Sequence, residues 1–423
     1  MSDAWAVALA VATALGALSA RPVPVWAAVA GAAAALAARR PLLLCLAAAA
    51  LASTMGARAW AGLRLPPPHT AVAGPATLVT DPADGAFHSV RVELRLGRRR
   101  VVAFAHGRAA AALRPRLAGE VVRVAGRLRP VGGRRRAYLA HRHIAAQLDV
   151  TALTPAGRGT LPARLANRVR LLLLRGVETL PPGQRAMFAG FVLGDGRNQP
   201  PATVADFRAA GLTHLLVVSG ENVAFVLAVF APLLSFLGLR GRLVGGLAVL
   251  FLFGVLTRWE PSVLRAEAMA AIALLATYSA RPVSTVRLLS LATAGLLLVD
   301  PLLVGSVGFL LSVAACAGIA ALAGPLHRRL RLPLPLAVTV AAQVGVAPVL
   351  LPVFGSLPLA ALPANLLAVP AAGPLMMWGM AAGVPAGLVG GRAGAALHLP
   401  TRLLMAWVEG VAHWAAQLPL PRL

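Results

Sequence analysis

Residues 211–239 read G-L-T-H-L-L-V-V-S-G-E-N-V-A-F-V-L-A-V-F-A-P-L-L-S-F-L-G-L. Two apolar flanks enclose a polar break, Ser219-Gly220-Glu221-Asn222, with His214 a little over one turn earlier. An acid, an amide and a hydroxyl beside a glycine are costly at membrane depth unless water, a pore or a partner satisfies them. Broken helices of this kind line cavities in transport proteins, where irregular backbone is tolerated. The other reading makes the break the ordinary start of a span at the water interface, with Asn222 near its first turn. Either way, the flanks belong in a bilayer.

The rest of the composition agrees. Of 423 residues 58% are hydrophobic and 13% charged, with a mean hydropathy of +0.76, whereas soluble domains are nearer ~45–50% apolar. Soluble enzyme, disordered tail and disulfide-stapled secreted domain are excluded as whole-chain readings. All 40 basic residues are arginine, set against 14 acids, for a net charge of +26. The absence of lysine fits a GC-rich coding bias, but the charge itself is chemical. A membrane protein this basic sits on anionic lipid or handles a polyanion. Cys45 and Cys316 lie in apolar runs and are expected as small buried residues rather than a disulfide.

Three blocks follow from the pattern. In the first, 1–60, apolar runs at 4–19, 23–37 and 41–57 are separated by Arg21 and by Arg39 and Arg40. Each is ~15–17 residues, near the lower limit for a ~30 Å core. The first carries no positive n-region, so three spans are expected rather than a cleaved signal, with a hairpin if one is too short. In the second block, 65–157, alternation and Gly/Pro turns predict strands at 76–80, 87–96, 99–105, 120–129, 136–142 and 144–151. Short strands at this density predict a small closed barrel of the OB type. Residues 58–158 hold 18 arginines and five acids. The candidates for phosphate contact are Arg98, Arg99, Arg100, Arg123, Arg127, Arg134, Arg135 and Arg136, with Phe87, Phe104 and Tyr138 for stacking. The plainer reading is a solvated basic surface beside lipid.

The third block, 160–423, is membrane again. An amphipathic helix at 163–180 puts Arg164, Arg168 and Arg175 on one side and Leu165, Val169, Leu172 and Leu173 on another, as an interfacial helix does. Spans are expected near 220–238, 243–257, 261–279, 285–300, 301–325, 333–353 and 371–390, then an amphipathic stretch at 397–418. The expected fold is thus a polytopic α-helical membrane protein of about ten spans with an inserted β-barrel domain. Arg240 with Arg242, Arg281 with Arg287, residues 327–331 and Arg392 fall on one side, which the positive-inside rule makes cytoplasmic. The β domain then lies outside the cell.

Other polar groups in apolar surroundings are few. Arg265 either snorkels to the surface or pairs with Glu221. Ser312, Gln343 and Asn365 stand alone, as helix–helix hydrogen-bonding residues do. Asp300-Pro301 reads as a cap followed by proline, Glu409 and His413 as a local helical pair, and His141-Arg142-His143 as a strand end. No zinc-protease, Walker A, nucleophile-elbow or paired-cysteine signature occurs, so no metal, cofactor or catalytic residue is expected and the chain is not read as an enzyme.

Four motifs together resemble the ComEC family, the membrane channel for DNA uptake in naturally competent bacteria. They are G-F-V-L-G-D-G-R at 190–197 with D-F-R-A-A-G-L-T-H-L-L-V-V-S-G-E-N-V-A at 206–224, P-S-V-L-R-A-E-A-M at 261–269, D-P-L-L-V-G-S-V-G-F-L-L-S-V-A-A at 300–315, and A-Q-V-G-V-A-P-V-L-L-P-V-F-G at 342–355 with A-N-L-L-A-V-P at 364–370. The resemblance implies a channel passing single-stranded DNA across the bacterial cytoplasmic membrane in natural transformation. It puts Gly194, Asp195, His214, Ser219, Gly220, Glu221, Asn222, Arg265, Ser312, Gln343 and Asn365 in its motifs. It also implies an external DNA receptor, a cytosolic helicase-like ATPase and a separate nuclease as partners, beside DNA and anionic lipid. Many members read S-G-L-H-V where this chain has S-G-E-N-V, so a role for that histidine does not carry over. Many also end in a metallo-β-lactamase-like domain, which this sequence does not contain, so nuclease activity is not expected. The rival class is a polytopic membrane enzyme or small-solute exporter, with a site at His214, Ser219, Glu221 and Arg265.

Overall fold

The computed structural model describes residues 2–38, 40–63, 67, 69–280, 283–356 and 358–419. Arg39, which separates two of the apolar runs, Arg281, which entered the charge-bias reading, and the Arg134 side chain lie outside the described residues. The chain divides into two compact units, residues 1–167 with 290–306 and residues 168–289 with 307–423.

The first unit begins with the helices Asp3–Ser19, Val25–Ala37 and Pro41–Gly62, the third packing on both others. Pro22 and Pro24 interrupt helix formation between the first two, leaving backbone groups that need partners. Ser53 and Thr54, both buried, supply them. Arg21 N donates to Ser53 Oγ at 2.9 Å, and Thr54 Oγ1 donates to Val23 O at 2.6 Å.

Next come strands β1 (Thr70–Leu78), β2 (Ala83–Asp84), β3 (Val90–Leu96), β4 (Arg99–Ala105), β5 (Val121–Pro130) and β6 (Ile144–Gly157). Pairing runs β1–β5–β6–β4–β3, and β3 returns to β1 through Thr77 opposite Arg95 and Leu78 opposite Leu94. The circuit of pairings therefore closes, with β2 attached to β3. All pairs are antiparallel except β4–β6, whose chain passes through the helix Gly107–Leu113 and β5 in between. Val90, Val92 and Leu94 are fully buried and meet Val101, Ala103, Val122, Val124 and Leu148 in one core. Arg91 and Arg95 point outward, as the alternation predicts.

The strand expected at 136–142 is instead part of a helix, Gly133–Ala140. A closed circuit leaves no strand edge to join. Arginine, alanine and leucine are good helix formers, and Leu139 buries against Val102 and Ile144 on the outer side of β4. The turn that follows covers Glu93, which alternation would expose. Its carboxylate is buried and takes Arg142 Nε at 2.8 Å. His143 is not a strand end either: it has a left-handed backbone, and its Nε2 lies 2.8 Å from Asp300 Oδ2. Asp300 does cap, accepting from Leu302 N at 3.1 Å ahead of the 3-10 turn Pro301–Gly305. The helix expected from 301 accordingly starts at Val307.

In the second unit the helix Ala361–Val389 packs against Pro182–Leu193, Gly220–Ser235, Leu334–Phe354, Gly391–Leu397 and Leu399–Ala416. Its buried stripe is small: Ala364, Ala368, Ala372, Gly379, Gly383 and Ala386 let neighbouring backbones approach. Among the described residues five helices are long and apolar enough to cross a membrane: Pro41–Gly62, Leu239–Leu256, Val307–Arg329, Leu334–Phe354 and Ala361–Val389. Asp3–Ser19, Val25–Ala35, Gly220–Ser235 and Thr285–Val299 are shorter apolar helices. Only 11% of the apolar window of Leu334–Phe354 is buried within the chain. The fold is that of a mostly helical membrane protein with one β-sheet region.

Candidate functional site

The helix Pro182–Leu193 ends at Gly194, whose left-handed backbone turns the chain into Asp195. Above this turn lies Arg170, 2% exposed, on the helix Leu161–Gly176. Its Nη1 donates to Leu193 O at 3.0 Å and to Leu256 O at 2.9 Å, and its Nη2 to Asp195 Oδ2 at 3.0 Å. Leu193 and Leu256 are the last residues of their helices, where carbonyls lack intrahelical partners and the dipole is negative. One guanidinium thus caps two helix ends and neutralises an acid. Asp195 also accepts from Arg197 Nε at 2.7 Å and Arg197 Nη2 at 2.5 Å.

Nothing in the leucine pattern of 163–180 pointed to Arg170. The buried face runs Ala163, Ala166, Asn167, Arg170, Leu173 and Val177, a helical spacing marked by small and polar residues, while Leu165, Val169 and Leu171 point outward. Reading the small residues as the packed face would have exposed the arginine.

The polar break packs onto the helix Pro182–Leu193. A Cβ on Gly190 would collide with Leu216 O and the Gln199 amide, so only glycine admits this backbone contact. Gln199 Nε2 donates to Leu216 O at 3.0 Å, and Ser262 Oγ to Val218 O at 3.3 Å. Ser219 stands at the N-cap of the helix Gly220–Ser235, with Asn222 in its first turn. That is an ordinary helix start, but not a hydrated one. Asn222 is buried, its Nδ2 donates to Phe191 O at 3.0 Å, and its Oδ1 accepts from Ser219 Oγ at 3.3 Å.

Arg265, 5% exposed on the helix Pro261–Tyr278, neither snorkels nor pairs with Glu221. Its Nε donates to Ser312 Oγ at 2.7 Å and its Nη1 lies 3.1 Å from Met269 Sδ. Helix rotation explains the correction. Successive residues are ~100° apart, so Gly220 faces Arg265 while Glu221 is turned to the exposed side. A Cβ on Gly220 would strike Arg265 Nη2, which makes no hydrogen bond among the described residues. The guanidinium therefore reaches the N-terminus of Gly220–Ser235 only because that residue is glycine.

The structure thus gathers Gly194, Asp195, Ser219, Gly220, Asn222, Arg265 and Ser312. His214 stands apart on the exposed 3-10 turn Thr213–Leu215. Asn365 Nδ2 donates to Ala361 O of its own helix at 2.7 Å, and Gln343 lies on Leu334–Phe354 without a bond to this cluster among the described residues. His413 pairs with Asp206 at 2.9 Å rather than with Glu409, since the neighbouring helix Pro201–Ala209 supplies a nearer acid.

In the β domain Arg98, Arg99, Arg123, Arg127 and Arg135 are exposed, while Arg100 and Arg136 are half-buried. Arg136 Nη2 donates to Leu63 O at 3.4 Å, and Arg135 lies 5.9 Å from the Phe104 ring centre. Burial, then Arg95 alongside, pulls the Arg100 guanidinium below its ordinary pKa. Burial, then Arg142, does the same to the His141 imidazole. Among the described residues no group of three His, Cys, Asp or Glu side chains is placed to hold a metal ion.

A model of a family described as competence protein matches residues 191–423. The ComE operon protein 3 of Bacillus subtilis (strain 168) is 28% identical over 195 residues, 45% of this chain. The match spans 25% of that relative's length. No solved structure matches the chain.

Proposed function

The chain belongs to the competence protein family, and from that premise we propose that it conducts single-stranded DNA through the bacterial cytoplasmic membrane during natural transformation. The short apolar helices are read as further spans, giving a multi-pass protein whose residues 65–157 lie outside the cell. The closed strand circuit, the parallel β4–β6 pair and the helix Gly107–Leu113 between β4 and β5 support an OB-like barrel that receives the strand. The helical unit is read as the pore. A DNA receptor outside, a helicase-like ATPase in the cytosol and a separate nuclease complete the machinery; this chain supplies passage, not hydrolysis.

One observation carries the proposal. Arg265 Nη2 lies against the amide end of Gly220–Ser235, so a guanidinium and a helix N-terminus face one spot within the family-matched region. Positive charge and N–H groups are what a phosphodiester backbone needs along its path. A solute site at His214, Ser219, Glu221 and Arg265 has less support, because His214 and Glu221 are exposed outside the cluster.

The test uses the full chain in detergent with a labelled single strand. Binding should fall steeply between about 50 and about 200 mM salt, and Arg123→Ala with Arg127→Ala should lower the log–log salt slope by about 1 for each phosphate set free. Arg265→Ala should leave that binding intact yet depress transformation in a competent host lacking its own channel gene. Salt-insensitive binding, or full transformation by Arg265→Ala at matched protein abundance, would refute the proposal.

A further inference from the structure

The link between Gly220–Ser235 and Leu239–Leu256 meets the end of Pro261–Tyr278. There Gly238, Leu239, Arg240, Gly241 and Tyr278 line a shallow cavity of about 530 Å³. The two arginines of this link are used differently. Arg242 is committed, its Nε donating to Leu237 O at 3.0 Å and its Nη2 to Ser235 O at 2.8 Å, which caps the preceding helix. Arg240 is exposed and makes no hydrogen bond or ion pair among the described residues. No acid occurs between Glu221 and Glu260 or between Glu267 and Asp300, so these helices carry nothing near the link to neutralise it.

The surroundings along the chain are apolar. Leu239, in the lining, is 54% exposed; Phe236, two residues before Gly238, is 87% exposed, and Val244, one helical turn after Arg240, 66%. Large apolar side chains this exposed around a cationic hollow suit an anion that brings hydrocarbon with it, rather than a soluble one. We propose that the cavity holds the phosphodiester headgroup of an anionic phospholipid, with Arg240 and the Tyr278 hydroxyl at the phosphate and acyl chains along Phe236 and Val244. Tyrosine suits this depth, since its ring prefers the apolar side of the interface and its hydroxyl the wet side. The proposal needs the chain to lie in a membrane and is independent of DNA passage.

Gly238 makes the site testable. Its φ is −61° and ψ 169°, which any residue adopts, and a Cβ there meets nothing within 4 Å. Gly238→Leu therefore fills the cavity without straining the fold. The full chain in detergent would be examined by native mass spectrometry with phosphatidylglycerol and phosphatidylcholine in equal amounts, inorganic phosphate serving as a tail-less competitor. Phosphatidylglycerol should be retained preferentially. Arg240→Ala should weaken that retention about fivefold, the worth of one basic residue at a lipid surface, and Gly238→Leu should weaken it by occupying the cavity. Arg392→Ala, exposed on a different helix, should not. Equal retention of both lipids, unchanged retention in both cavity variants, displacement by inorganic phosphate, or loss of a dimer mass instead of lipid adducts in Gly238→Leu would each overturn it.

Discussion

In the β domain the ion pairs Arg114–Asp84 and Arg129–Asp149 have side chains 33–68% exposed, whereas in the helical unit Arg170 and Asp195 pair at 2% and 8%. Water screens the first two, which contribute at most about 1 kcal/mol each. The strand circuit stands on its apolar core and its ladder of backbone bonds. The helical unit cannot treat charge so lightly. Helix ends at Leu193 and Leu256 converge where water is scarce, and their carbonyls need a donor from the protein itself. Arg170 is that donor, and Asp195 offsets the cost of burying it. At these pairs the same ion-pair chemistry is ornament in one unit and framework in the other; the Arg142–Glu93 pair, whose carboxylate is buried in the β domain, is the exception.

The strongest way to break this contrast is at Arg170. Asp195→Ala strands the buried Arg170 guanidinium and should cost about 3–5 kcal/mol. Arg170→Met leaves Asp195 to Arg197 but orphans two carbonyls at about 1–3 kcal/mol each. Both are read as loss of folded protein in detergent. Arg170→Met with Asp195→Leu should recover part of the Asp195→Ala loss, because no fully buried guanidinium is then stranded and Arg197, partly exposed, can turn to water. Wild-type yields from both single variants would show that the node is not structural.

Arg265 sharpens the comparison at the next level. Arg265→Ala and Ser312→Ala each remove one charge-assisted hydrogen bond, a loss of about 1.5–3 kcal/mol. Their effects on thermal unfolding should be coupled by about 0.5–3 kcal/mol, while Arg265→Ala and Glu221→Gln should add. Coupling to Glu221 in place of Ser312 would reinstate the acid as partner.

The smallest effect belongs to the β domain. Arg129→Ala and Asp149→Asn should each change stability by no more than about 1 kcal/mol, and less at high salt. A larger loss in chemical unfolding would mean that charge holds this unit as well.

Much of the molecule was legible in the sequence because the relevant signals are local. Apolar runs set the helices Pro41–Gly62, Leu239–Leu256 and Leu334–Phe354, and alternation marked β3, β4 and β5 almost to their ends. The motifs at 190–197, 206–224, 261–269 and 300–315 contain the segments that converge on Asp195, Asn222 and Arg265. Those signals come from residues one to four positions apart, where helix and strand geometry dictate which side chains share a face.

Only the tertiary structure decided who meets whom. Ser312 is 47 residues from Arg265, and Leu256 is 86 from Arg170. No periodicity reports such distances. Glu221 and Gly220 differ by a single step of ~100° around one helix, and that step turns the glycine, not the acid, toward Arg265. The strand expected at residues 136–142 does not form: the circuit closes without them, and their arginine, alanine and leucine form a helix on the outer side of β4. Sequence sets the faces that must be buried. The rotation and order in which those faces close on one another belong to packing, which pairs buried polar groups such as Asn222 and Arg170 with partners far away in the chain.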